Sequence, residues 1–483
     1  DWVQLGNRAV DEGRDTDALA CYQQAAALDD LLGITNLGWC LEAGIGVAAD
    51  PRQAVVLYAQ AAARDYMPAL TNLGYCYAHG IGVARDDAKA LECFRKGAEQ
   101  GFPRAQFLLG EAYSRGLGVD QDDGQAAKWY QSAAWLGYPA AQTELGRCLE
   151  FGTGVPQSIQ QAAKWYQAAA EQGNAPGQCC LGFLYESGQG VEQSWEEAVR
   201  WYRAAADQGL PRAQCNLAWC YEYGKGVEQN WKRAVHWYRQ AADQEDPRGL
   251  FCMGVCCKYG RGVEQNWEEA VQWYRRAVDA GSAAAMCNLG VCYERGEGVE
   301  RDAAEAARLY RQAAEREDAA AQCNLGYLYE SGEGVEQNWQ EAVRWYQAAA
   351  EQGYPRAQCN LGVCWEFGHG VAKDPVKAAD LYRQAAEGGD RVAACNLGYL
   401  YETGVGVAQS WADAVKWYRQ AVEESEPRAQ YNLAWCYEHG KGVPRDLRQA
   451  RELYQAAAEQ GYAGAREAAD RLEKDGSRRG GGF

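Results

Sequence analysis

Between Ala321 and Pro355 the chain reads AQCNLGYLYESGEGVEQNWQEAVRWYQAAAEQGYP. Its apolar residues fall into two periodic sets. Ala342, Trp345, Tyr346, Ala349 and Ala350 step by three and four, which places them on one face of a helix. Ala321, Leu325, Leu328 and Tyr329 do the same one segment earlier. Between the two segments lies Gly-x-Gly-Val, beginning at Gly332. The pattern predicts two amphipathic helices, A then B, joined by a turn in which glycine supplies φ > 0 at the end of helix A.

The tetrad recurs at Gly44, Gly80, Gly116, Gly152, Gly188, Gly224, Gly260, Gly296, Gly332, Gly368, Gly404 and Gly440, always 36 residues apart. Six residues after each stands Asp50, Asp86, Asp122, Ser158, Ser194, Asn230, Asn266, Asp302, Asn338, Asp374, Ser410 or Asp446. All twelve are residue types that accept hydrogen bonds from a helix start, so helix B begins there. Eight units place Glu or Gln three residues later, as Asn338 with Glu341, which predicts a capping box. Gly326 sits inside helix A at a cost of about 1 kcal/mol relative to Ala. Ten units keep Gly there, and Ala218 and Ala434 fill the other two. This implies close packing against a neighbouring helix. A lone helix pair cannot bury its apolar face, so each unit supplies the core of the next.

The pattern A-x-x-x-L-G-x-x-Y-x-x-G-x-G-V-x-x-[D/N/S]-x-x-x-A-x-x-W-Y-x-x-A-A resembles the Sel-one-like repeat (SLR) family, relatives of tetratricopeptide repeats. It covers residues 33–462 in twelve repeats. Residues 1–32 lack the glycine insertion and resemble an ordinary tetratricopeptide repeat, with Trp2, Leu5, Gly6, Ala18, Tyr22 and Ala25 at its spacing. Residues 463–475 read as a lone capping helix, and 476–483 as a flexible tail or linker. The expected fold is all-α: a right-handed superhelical α-solenoid of antiparallel helix pairs, with 27 helices.

The net charge of −18 is scattered along the chain and reads as a solvated surface. No basic stripe is present to displace phosphate counterions, which argues against nucleic acid. No apolar run reaches membrane-spanning length. No signal peptide is visible, although the chain starts at Asp1 without Met, which weakens that point.

Four histidines, His79, His236, His369 and His439, lie in four separate units and form no acid–base set. The glycine tetrads follow helix C-termini, whereas phosphates favour N-termini, so they read as turns. Of nineteen cysteines, eight share one helix-A position (Cys40, Cys76, Cys148, Cys220, Cys256, Cys292, Cys364, Cys436) and six another (Cys179, Cys215, Cys287, Cys323, Cys359, Cys395). Cys215 and Cys220 are five residues apart, roughly 140° around a helix, and cannot bridge. Equivalent positions in packed neighbours lie about 9–10 Å apart, beyond disulfide reach. A secreted, cysteine-rich branch of the family links helix B to the next helix A by disulfides, a placement this chain lacks. Cys252 and Cys256 form an isolated pair without metal-ligand partners. The cysteines therefore read as small apolar residues in a reducing, cytoplasmic compartment. No cofactor and no metal site is expected.

The resemblance places helix A along a concave groove. Positions mapped toward it carry Asn216, Asn288, Asn324, Asn360, Asn396 and Asn432, the aromatics Trp219, Tyr327, Tyr399 and Trp435, and the helix-ending Glu294, Glu330, Glu366, Glu402 and Glu438. A carboxamide both donates and accepts, so an asparagine ladder suits an extended peptide backbone, and the glutamates favour a basic one. The alternative is that the asparagines bond neighbouring helices and the aromatics pack between repeats. The expected function is a non-enzymatic scaffold or adaptor that binds a peptide segment or partner protein. The resemblance implies the same, since SLR proteins typically assemble complexes in signalling, secretion, virulence or protein quality control. The other reading is a targeting or regulatory subunit whose activity lies in a domain outside these residues.

Overall fold

The computed structural model describes residues 1–423 and 425–479, with side chains placed through Glu473. Among the described residues are twenty-seven helices and no strand. A first pair, α1 (Trp2–Asp11) and α2 (Asp15–Ala27), lacks the glycine tetrad. Twelve pairs follow. Their A helices carry odd numbers from α3 (Leu31–Ala43) to α25 (Pro427–His439), and their B helices even numbers from α4 (Pro51–Ala62) to α26 (Leu447–Glu459). Last comes α27 (Ala465–Arg479), whose backbone runs on through Gly476 to Arg479; the rest of the expected tail, 480–483, lies outside the described residues.

The helices form two compact bodies, residues 1–244 and 245–483. The first holds α1–α14 and the second α15–α27. Within each body every helix packs against the helices before and after it, so each is an α-solenoid of stacked pairs. The core is a repeated set. In α19 (Ala319–Ser331) and α20 (Trp339–Glu351) the buried residues include Ala321, Leu325, Leu328, Ala342, Tyr346 and Ala349, drawn from both periodic faces.

Eleven of the twelve expected caps form side-chain bonds to the start of helix B. Ser158 is the exception and makes none. The capping box does not close. The cap N–H instead donates across the turn to helix A, as Asn338 to the Tyr329 carbonyl at 2.8 Å, while Glu341 turns to Arg344 at 3.3 Å. The bond that would have tied helix B to itself ties it to helix A.

The two turn glycines do different work. Gly368 caps α21 (Pro355–Phe367) in the left-handed region at φ 81. At Gly370, φ 70, a Cβ would lie 2.5 Å from the Trp339 carbonyl oxygen, at the start of the preceding unit's B helix. That closeness lets successive units stack and admits no side chain.

Candidate functional site

Gly326 fixes what lies behind the A-helix face. A Cβ there would stand 2.7 Å from the Tyr346 ring, so the ring edge packs against bare backbone. The buried ring then presents its hydroxyl at the end of helix A, where it donates to Glu330 Oε2 at 2.6 Å. Eight more units repeat this rung: Tyr58–Glu42, Tyr166–Glu150, Tyr202–Glu186, Tyr238–Glu222, Tyr310–Glu294, Tyr382–Glu366, Tyr418–Glu402 and Tyr454–Glu438, at 2.5–3.0 Å. In the first pair Tyr22 donates to Asn7 at 2.7 Å. Burial, then the carboxylate partner, hold Tyr346 well above the usual phenol range.

The rungs bear on the five glutamates expected to face a ligand. One oxygen of each is committed to its own unit's tyrosine, and Glu438 also takes Arg471 of α27 at 2.7 Å. The signal for this was in the sequence. Where Ala78 replaces the glutamate, the ring is Phe94, with no hydroxyl to satisfy. The other two units place Ser114 with Tyr130 and Lys258 with Tyr274.

The asparagines are half-buried and reach back to the preceding unit. The Nδ2 atoms of Asn216, Asn324, Asn360 and Asn396 face Cys179, Cys287, Cys323 and Cys359 Sγ at 3.8–4.0 Å. Asn288 instead donates to the Ala284 carbonyl in its own helix at 3.0 Å. Asn432, half-buried, lies at the same register in α25. Arg428 donates to Asn396 Oδ1, and Arg104 to Asn72 Oδ1 at 2.7 Å. The aromatics divide. Trp219 stacks on Trp195 and Trp435 on Trp411, each from the preceding unit, with centroids 5.7 and 5.6 Å apart. Tyr327 and Tyr399 are exposed.

Three of the four histidines stack on aromatic rings: His79 on Tyr75 and His439 on Trp435 within A helices, and His369 of a turn on Trp339 at the start of a B helix. None of the nineteen cysteines is in a disulfide. Burial pushes Cys76, Cys323 and Cys364 up to about 12, so these thiols stay protonated. Among the described residues no group of three or more His, Cys, Asp or Glu could hold a metal ion, and no helix is long and apolar enough to cross a membrane.

In the first body the ladder positions of successive units line one hollow of about 450 Å³, where Asn36, Trp39 and Glu42 meet Asn72, Tyr75 and Arg104. A family model for the Sel1 repeat matches residues 14–30 and then twelve segments from 32–66 to 427–462. The chain belongs to the Sel1 repeat family. The first Sel1 match, 14–30, falls in the pair expected to be an ordinary tetratricopeptide repeat. Among solved structures, c5321, a protective antigen present in uropathogenic Escherichia coli strains and displaying an SLR fold, is 34% identical over 87% of this chain and 90% of its own, with a TM-score of 0.67. A Sel1 repeat protein from Oxalobacter formigenes is 34% identical over 50% of this chain and 96% of its own, with a TM-score of 0.47. No curated protein matches the chain. The Sel1 repeat solenoid is typically a non-catalytic scaffold for protein interactions.

Proposed function

We propose that this chain is a non-enzymatic adaptor that holds an extended segment of a partner protein along its A-helix faces. The observation that carries the reading is the hollow in the first body, where carboxamide, aromatic and carboxylate positions of neighbouring units converge with Arg104. In the second body Asn324 and Asn360 turn Nδ2 to a thiol, a weak acceptor, which leaves Oδ1 for a peptide N–H. Packed helices step by about 10 Å, close to three residues of extended chain. Exposed Tyr327 and Tyr399 add apolar contact. The second oxygens of Glu294, Glu330, Glu366 and Glu402 suit a basic side chain. Nineteen cysteines without a disulfide support a reducing compartment.

The test replaces Asn324, Asn360 and Asn396 together by Ala in the full chain. Capture of partner peptides from a lysate, identified by sequencing, should fall several-fold while the melting temperature stays nearly unchanged. Unaltered capture, or a large drop in melting temperature, would show that the ladder only holds the stack together.

A further inference from the structure

One unit of the second body breaks the rung. In α15 (Pro247–Tyr259) the position held by glutamate in nine units is Lys258, so a donor stands where the acceptor should be. Its partner ring, Tyr274 in α16 (Trp267–Asp279), is fully buried, and among the described residues its hydroxyl has no hydrogen-bond partner. The ring is packed closely against the bare backbone of Gly254, where a Cβ would lie 2.5 Å from it. Lys258 is 8% exposed. Its ammonium lies over the Tyr259 and Trp267 rings, 5.1 and 5.5 Å from their centroids, and among the described residues it makes no ion pair. A buried donor left unsatisfied is costly, and a buried cation more so. Elsewhere the chain avoids the first cost by supplying Glu, Asn7 or Ser114 opposite the hydroxyl, or by removing the hydroxyl, as in Phe94.

We infer that Lys258 and Tyr274 form a receptor for one carboxylate group brought by the bound peptide, seated where the other units place their own glutamate. The inference rests on the adaptor reading and adds the chemistry of one contact. A carboxylate accepts from the phenol, as Glu330 does from Tyr346, and neutralises the ammonium. A water would satisfy the hydroxyl and leave the charge. The aromatic walls supply the low-dielectric surroundings in which such a pair is strong. One internal group competes. Glu297, in the glycine turn of the next unit, has a buried Oε2 without a partner among the described residues, and Cys292 feels both its charge and that of Lys258.

Trifluoroacetate added to the full chain at fixed ionic strength tests this through its fluorine NMR line width. The wild type should broaden the line. Lys258→Glu, which rebuilds the rung of the nine other units, should abolish most of the broadening and melt at or above the wild-type temperature. Tyr274→Phe should reduce the broadening several-fold, and it keeps the test open if the first variant fails to fold. Glu297→Gln should increase it. Equal broadening by wild type and Lys258→Glu, or none by the wild type, overturns the inference. Broadening seen only with Glu297→Gln overturns it too, because Lys258 and Glu297 then form an internal pair. The probe needs no peptide partner, so its failure leaves the capture result on the asparagines standing, and the reverse also holds.

Discussion

Glu330 ends helix α19, where the helix dipole disfavours a carboxylate. Its hydrogen bond from Tyr346 explains why nine units accept that position. Glu330→Ala should therefore destabilise by about 1–3 kcal/mol, because it leaves a buried phenol without an acceptor. Adding Tyr346→Phe should recover much of the loss, since the double variant recreates the Ala78–Phe94 arrangement that the chain already contains. Urea unfolding of the two single variants and the double variant measures the coupling. Additive losses would show that the rung carries no energy of its own. This pairing was legible in the residues, because the one unit with Ala at the glutamate position is the one with Phe at the tyrosine position. It is hidden from a reading that takes each helix alone, since the partners are sixteen residues apart across the turn. The asparagine contacts were less legible. Their thiol partners lie thirty-seven residues back, and only packing sets that register.

At the scale of the helix, period and punctuation carried nearly everything. The A and B faces, the left-handed glycine at the end of helix A and eleven caps all follow from residue type and spacing. The capping box failed because the cap N–H found a better-placed acceptor in helix A, a tertiary contact outside the local pattern. Gly326 is the helix position where local and tertiary preferences conflict most plainly. Leu is the better helix former, by about 1 kcal/mol. Against that stands the Tyr346 ring, 2.7 Å from where a Cβ would begin. Gly326→Leu should therefore lower the melting temperature, with overpacking costing about 1–3 kcal/mol or more. Gly326→Ala should cost far less, because Ala218 and Ala434 occupy the same site in other units. A Leu variant that melts at or above the wild type would mean the ring yields freely and the glycine is no packing site.

Within each body a stack of near-identical units multiplies whatever one unit does. The 36-residue period announces the stack, yet it shows no slip at 244–245, where the compact bodies divide, because the units on either side are alike. Repetition also sets how the chain responds to alkali. Burial, reinforced by the glutamate bond, holds Tyr58, Tyr202, Tyr310, Tyr346, Tyr382, Tyr418 and Tyr454 protonated well above the usual phenol range. Unfolded tyrosine loses its proton near pH 10. Below that the term is fully present. Above it the folded state binds more protons than the unfolded one, so stability falls as pH rises, by about 1.4 kcal/mol per pH unit for each tyrosine. The thiols of Cys76 and Cys364, pushed up to about 12, act in the same direction from about pH 8.5 upward. With so many groups of one sign, helical circular dichroism should collapse over a narrow range above pH 10, and the tyrosinate absorbance of the buried rings should appear in step with it. Tyrosinate in excess of what exposed rings such as Tyr327 and Tyr399 supply, forming near pH 10 with the helices intact, would show that the buried rings are not held as the rungs require.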